Sequence, residues 1–454
     1  MEPSSYKHVL LLDYCSEKNR GDAAMQVGLI KLVQKYLPQA DISVVSVFGA
    51  NQILDFQTEY DHTLKMPVRL LGGLKPTFFP LNPNIKRSNI LVELLNLLFV
   101  AISCALLLLV ALRIPLSLIA RFLPAEYRKT LYAIRDADLI FWNGRNFRSR
   151  KNRLLETYRI FNVVYHPLLC KLLSKPMVCI GASLWDLNSS LSRRLAKSAF
   201  DYCAFISFRE RNSYVEASKL LNAQREGHFR LLPDLSFASF GDVDTLVRQH
   251  KKDNRKIPQK VGITVVDWRA NGQNARCTYE EALLGVIRFF IANDSEILLI
   301  PQVTKKWEGF GGIWKDIYSE LNSREKSKIT VIEGEPGIDD LLGIYSQIDF
   351  LIATRLHSAI FASTVQTPLV AISYDSGGKW GILDEIGYKD YIIPFPEISS
   401  SRLIEKILEC WNNKEAILDE VRKNTDRFLQ QVDLNVIYVV SPNTKDHPVI
   451  VNNN

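Results

Sequence analysis

Residues 349–365 read DFLIATRLHSAIFASTV. From Asp349 to Ala353 the chain is an apolar run of strand length, and from Arg355 to Val365 the apolar residues fall at helical spacing. Residues 368–373 read as a second strand. Strand, helix and strand this closely spaced make a βαβ unit, whose strands lie parallel. Arg355 and His357 then open the helix at the C-terminal edge of a sheet, where open α/β folds bind ligands.

The same alternation continues outward. Upstream, residues 260–266, 296–301 and 329–333 read as strands, with helices near 279–292, 312–322 and 338–346; a further helix falls near 401–412. The N-terminal half repeats the grammar, with strands at 8–13, 42–48, 138–142, 177–180 and 204–208 and helices at 22–36, 154–173 and 190–199. The expectation is an α/β protein of two Rossmann-like lobes, 1–240 and 261–430, with a site in the cleft between them. A linker at 241–260, with six Lys/Arg from Arg248 to Lys260, would join them, and 431–454 would be a C-terminal tail.

The 454 residues are 47% hydrophobic and 23% charged, which excludes a disordered or fibrous chain. The seven cysteines form no C-x-x-C pair and are odd in number, so neither a disulfide scaffold nor a zinc ribbon is expected. They read as reduced thiols of a cytosolic compartment. Met1 to Lys7 lacks the charged-then-apolar order of a secretory signal. No histidine pair has ligand spacing, and no metal is expected.

The net charge is +7, and residues 113–153 hold ten Lys/Arg against three Asp/Glu. That basic run follows Leu94 to Leu112, 19 residues without a charge. As a helix they would span about 28 Å, close to the hydrocarbon thickness of a bilayer. A single crossing would separate residues 1–90 from 126–454, although both supply strands to one sheet. The reading is therefore a helical insertion, about 88–128, that dips into one leaflet through Leu94 to Leu123. Arg113 and Pro115 mark its break, and the basic run faces anionic headgroups. A buried core helix or a dimer interface is the plainer alternative. Nucleic-acid binding would want charge along a groove with aromatic stacking partners and is not expected.

Three motifs sit at strand ends. Asn19-Arg20-Gly21-Asp22 lies between the first strand and its helix; a tight turn there exposes helix amides to an acceptor oxygen, or Asp22 simply caps the helix. Thr354-Arg355-Leu356-His357 places a guanidinium beside a group that exchanges protons near neutral pH, with Thr354 as the cap. Ser207 to Ser213 carries Arg209 and Arg211 after another strand, suited to a second anionic group or to a solvated ion pair.

In order, NxGD (Asn19, Gly21, Asp22), RE-x-x-S (Arg209, Glu210, Ser213), Pro233-Asp234, and ATRLHSAIFAS followed by TPLVAISYD and Lys379 resemble the polysaccharide pyruvyl transferase family, over about residues 8–390. The resemblance implies lobes of the GT-B type and transfer of an enolpyruvyl-derived group from phosphoenolpyruvate to a sugar, giving a pyruvate ketal. By motif, Arg209, Arg355, His357 and Lys379 would bind phosphoenolpyruvate, and Asn19, Gly21 and Asp22 would line the acceptor side. Two loops depart from the family's glycine-rich turns, Asn143 to Phe147 and Gly181 to Asp186. Both are expected to touch the acceptor, with Arg145 adding an anion contact.

A donor with a phosphate and a carboxylate calls for several cations when no metal helps. His357 would protonate the methylene carbon or stabilise the leaving phosphate, and Asp22 would act as base toward a sugar hydroxyl. No cofactor is implied beyond phosphoenolpyruvate as co-substrate. A polyprenyl-diphosphate-linked acceptor would give the insertion a use, holding the enzyme on the cytoplasmic face of the inner membrane as a peripheral or monotopic protein. The competing reading is a GT-B glycosyltransferase with a nucleotide-sugar donor, its ribose held by Glu308, Glu333 or Glu335. A membrane-anchored assembly subunit with an inactive site is the third.

Overall fold

Val9 to Leu12 are all buried, as expected of a strand covered on both faces, and this strand sits inside a parallel sheet. The computed structural model describes residues 6–75, 90–145, 147–221, 228–241, 243–247, 255–266, 273–304, 310–374 and 378–441. Among them the first sheet has seven strands: β1 (His8–Tyr14), β2 (Asp41–Gly49), β3 (Arg69–Gly73), β4 (Leu139–Trp142), β5 (Met177–Ala182), β6 (Ile206–Phe208) and β7 (Phe229–Leu231). Their spatial order is β3-β2-β1-β4-β5-β6-β7, with every neighbouring pair parallel. The order reverses between β1 and β4. The loops after those two strands therefore diverge and leave a crevice at their C-terminal ends.

The helices of this half are α1 (Arg20–Tyr36), α2 (Asp61–Leu64), α3 (Ile90–Ala111), α4 (Leu116–Arg121), α5 (Ala125–Asp136), α6 (Arg153–Leu172), α7 (Ser190–Phe200) and α8 (Arg211–Leu220). The apolar segment breaks at Arg113, whose φ is 58°, and Pro115 precedes α4. Ser103, Leu106 and Val110 form the buried stripe of α3. Leu106 and Val110 share a core with Ile119, Ala120 and Leu131. The other side of the segment is exposed at Leu98, Ile102, Leu108, Leu109, Leu112, Leu118 and Phe122. The segment thus packs one stripe into the core, as the plainer core-helix alternative expects, and leaves an apolar face outside it. Among the described residues, no helix is long and apolar enough to cross a membrane.

The second sheet has six strands among the described residues: β8 (Lys260–Thr264), β9 (Glu296–Leu299), β10 (Ile329–Val331), β11 (Phe350–Ala353), β12 (Leu369–Ser373) and β13 (Ile392–Pro394). They run β10-β9-β8-β11-β12-β13, all parallel, and reverse between β8 and β11. Its helices are α9 (Gln273–Ala292), α10 (Phe310–Ser319), α11 (Ser323–Lys326), α12 (Ile338–Ser346), α13 (Leu356–Thr364), α14 (Gly381–Ile386), α15 (Ser400–Asn412) and α16 (Lys414–Gln431). A last helix, α17 (Leu434–Val440), follows.

The chain divides into two compact units whose borders differ from the expected 1–240 and 261–430. The first takes Met1–Cys15, Gln26–Ala238 and Gln431–Asn454; the second takes Ser16–Met25 and Ser239–Gln430. Residues 16–25 belong to the second because they pair with the loop after β9. Arg20 N–H donates to Gln302 O at 3.1 Å, Thr304 N–H donates to Lys18 O at 2.8 Å, and Asn19 bridges Val303. The expected tail begins with α17, which belongs to the first unit. Asn435 there accepts from Ser207 Oγ at 2.6 Å and donates to Pro233 O at 3.1 Å, and Val436 and Val440 are buried. The expected linker at 241–260 lies partly outside the described residues.

Candidate functional site

In the second unit the site is built at the switch point. Thr354, just after β11, is fully buried; its N–H donates to Thr264 Oγ1 at 3.1 Å and its Oγ1 accepts from Tyr279 O–H at 2.8 Å. Burial pushes the Tyr279 phenol up to about 12, so it stays a donor. Thr354 is therefore occupied and does not cap α13 as the sequence suggested. Arg355 takes the N-cap position with extended backbone and no side-chain cap bond. Its Nε is buried and has no hydrogen-bond partner among the described residues.

His357, in the first turn of α13 and half-buried, lies against the start of α1. A β-carbon on Gly21 would stand 2.6 Å from His357 Cβ and closer still to Cγ and Nδ1. Only glycine leaves room for that ring. Asn19 organises the turn beneath it. Its Oδ1 accepts from Gly21 N–H at 3.2 Å and its Nδ2 donates to Asp22 Oδ2 at 3.1 Å. Capping therefore falls to Asn19, and the Asp22 carboxylate sits in the first turn of the helix. Arg20 bonds Glu17 O and Glu335 O, both at 3.0 Å, and Lys18 pairs with Glu335. Glu335, a candidate for ribose in the competing reading, is thereby engaged. Lys379 is buried between Tyr374, to whose hydroxyl it donates at 2.9 Å, and Trp380. The second unit thus brings Gly21 against His357 on the Asn19–Asp22 turn, with Arg355 two residues before that ring.

Arg209 and Arg145 belong to the first unit. Arg209 is buried; Nε faces Glu210 Oε2 at 3.2 Å and Nη1 faces Asp234 Oδ2 at 2.9 Å. Burial works to lower its pKa, but Asp234 and Glu210 outweigh it and hold the guanidinium above its ordinary value. Glu210 Oε1 also accepts from Ser183 and Ser213 hydroxyls, each at 2.5 Å. Arg145 is buried, its Nη2 donating to Asp13 O at 3.3 Å and to Gln26 Oε1 at 3.0 Å.

One cluster escaped the sequence reading. Asp13, next to last in β1, has left-handed backbone, φ 63°. His166 Nδ1–H donates to its Oδ1 at 2.6 Å, and Trp142 Nε1–H donates to its Oδ2 at 3.1 Å. Leu74 N–H donates to His166 Nε2 at 3.0 Å, so both ring nitrogens are committed and the ring clamps the strand end. Lys75 is next in the chain, and loss of solvent pushes its ammonium down to about 8 against the pull of Asp13. His166 looks isolated in sequence, and only the strand order brings it to Asp13. No group of three or more His, Cys, Asp or Glu among the described residues is placed to hold a metal.

Solved structures share the fold at low identity. S. aureus MnaA in its UDP co-structure is 10% identical, covers 95% of this chain and 97% of its own, and superposes with a TM-score of 0.55. Arabidopsis thaliana UGT89C1 is 12% identical, covering 96% and 99%, with a TM-score of 0.53. The UDP-GlcNAc 2-epimerase from Neisseria meningitidis bound to UDP-GlcNAc is 10% identical, covering 96% and 100%, with a TM-score of 0.53. At such identity they establish the two parallel-sheet lobes, of GT-B glycosyltransferase and epimerase type. The family profile of polysaccharide pyruvyl transferases matches residues 19–376, from the Asn19–Asp22 turn through the helix of Arg355 and His357 and on past β12. The chain belongs to the polysaccharide pyruvyl transferase family.

Proposed function

We propose that the chain moves a pyruvyl group from phosphoenolpyruvate to two hydroxyls of a saccharide, forming a cyclic ketal. The observation that carries the reading is the His357 ring seated on Gly21 beside the Asn19–Asp22 turn, with Arg355 at the same helix start. Arg355 and Lys379 supply positive charge for the donor's phosphate and carboxylate. Two of the Arg209 nitrogens face Asp234 and Glu210, so any contact it makes with the donor is shared with them.

The balance is simple. A proton from His357 reaches the methylene carbon, one acceptor hydroxyl adds to the neighbouring carbon, phosphate leaves, and the second hydroxyl closes the ring. Of the two hydroxyl protons, one replaces the proton given up by His357 and the other ends on phosphate. Asp22 serves as the base for a hydroxyl. No metal or further cofactor enters this reading.

The acceptor is read as a polyprenyl-diphosphate-linked precursor met at the cytoplasmic face of the inner membrane. The support is the exposed apolar face from Leu98 to Phe122 with exposed Arg113, Arg121, Arg128 and Lys129 around it. Phosphate release from phosphoenolpyruvate, with lipid-linked oligosaccharides added, tests the reading; no release with any saccharide would end it. A nucleotide-sugar glycosyltransferase is the second reading, favoured by the UDP and UDP-sugar ligands of the solved relatives. Thermal stabilisation by UDP-sugars and not by phosphoenolpyruvate would select it.

A further inference from the structure

The first sheet has a switch point of its own, at the C-terminal ends of β1 and β4. Asn143, the first residue after β4, is 3% exposed. Neither its amide oxygen nor its amide nitrogen has a hydrogen-bond partner among the described residues. Buried polar groups in native proteins are answered, and an amide left open at both atoms marks a place for a ligand or ordered water. The loop that carries it is fixed from three sides. A β-carbon on Gly144 would press on Cys179 Sγ and stand 3.1 Å from Ala182 Cβ, and Gly144 O accepts from Ser183 N–H at 3.1 Å. Two residues on, Arg145 is 5% exposed and tied to Asp13 O and Gln26 Oε1. Asp13 is in turn clamped by His166 and Trp142.

The chemistry of the amide narrows the ligand. Its nitrogen needs an acceptor and its oxygen needs a donor. A fully ionised phosphate ester or a carboxylate has no donor to give the oxygen. Two adjacent hydroxyls answer both atoms at once, since each can give and accept. We propose that Asn143 reads a vicinal hydroxyl pair of the saccharide acceptor at this switch point, beside Arg145. The proposal rests on the pyruvyl transferase reading for the identity of the ligand and on nothing else in it.

The test is saturation-transfer NMR of the full chain with methyl glycosides of glucose, mannose and galactose, without phosphoenolpyruvate. Wild type and Arg355→Ala are expected to give glycoside signals, and Asn143→Leu to lose them. Because Asn143→Leu removes an unanswered buried amide, its thermal midpoint is expected to hold or rise. Should that variant fail to fold, Asn143→Asp keeps the shape and loses the donor, and about tenfold weaker glycoside binding is expected. A folded Asn143 variant that binds glycosides like wild type, or a wild type that binds none, overturns the proposal. Glycoside binding without phosphate release from phosphoenolpyruvate would instead sink the donor reading and leave this site standing.

Discussion

The imidazole of His357 occupies the space a side chain on Gly21 would need. A residue at the start of the first helix thereby sets the position of one in the thirteenth. Gly21→Ala must push the ring aside. A reacting group displaced by about 1 Å costs on the order of a hundredfold in kcat. Overpacking should take about 1–3 kcal/mol from stability. The double variant Gly21→Ala/His357→Ala should regain stability in urea denaturation and stay inactive in phosphate release. Unchanged kcat in Gly21→Ala would show that the ring takes no part in turnover.

Arg209→Ala should lower stability by about 3–5 kcal/mol, because Asp234 and Glu210 would remain buried without their cation. Urea denaturation reads this directly. Lost activity in that variant therefore speaks first of folding. A variant as stable as wild type would mean that the carboxylates are answered elsewhere.

Lys75 offers a pH signature. Its folded pKa of about 8 lies below the ordinary 10.5 because burial outweighs the pull of Asp13. Between those values the unfolded chain holds a proton that the folded chain lacks, so this group's contribution to stability rises as pH climbs from 8 to 10.5. Lys75→Met should be more stable than wild type at pH 7, and the gap should close by pH 10.5. Denaturation curves at pH 7, 9 and 10.5 measure it; a constant gap would show an ordinary lysine.

Phe122 and Leu112 are 83% and 63% exposed on the apolar face. Wild type should float with phosphatidylglycerol vesicles and bind phosphatidylcholine vesicles more weakly, with salt eroding the difference. Leu112→Asp/Phe122→Asp should cut vesicle binding by about tenfold or more with no change in thermal midpoint. Equal binding by the double variant would remove the membrane role of this face.

The strand series was legible because buried parallel strands are continuous apolar runs, as at Phe350–Ala353, and the break at Arg113 and Pro115 was legible from proline and charge. The edge strands β3, β7 and β13 were not, being three to five residues long and, in β3, ending in two glycines. The turn Asn19–Asp22 and the Arg355–His357 pair were visible as polar groups at strand ends. Their meeting was not, since it depends on residues 16–25 pairing with Gln302 to Thr304. Thr354 looked like a cap because sequence does not reveal Tyr279 waiting for its hydroxyl. The loop Asn143 to Phe147 stood out in the sequence as an acceptor contact, but the burial of the Asn143 amide and its want of a partner among the described residues were not legible there.

The division of the chain also limits how it can be dissected. Ser16–Met25 and Gln431–Asn454 each sit with the unit on the far side of a sequence border, so the polypeptide changes unit four times. No single scission yields either half whole. A fragment starting at residue 239 would carry His357 without the glycine that seats it, and one ending at 238 would lack the Asn435 amide that holds Ser207 and Pro233. Complementation between two such pieces, rather than independent folding of either, is the behaviour this threading dictates.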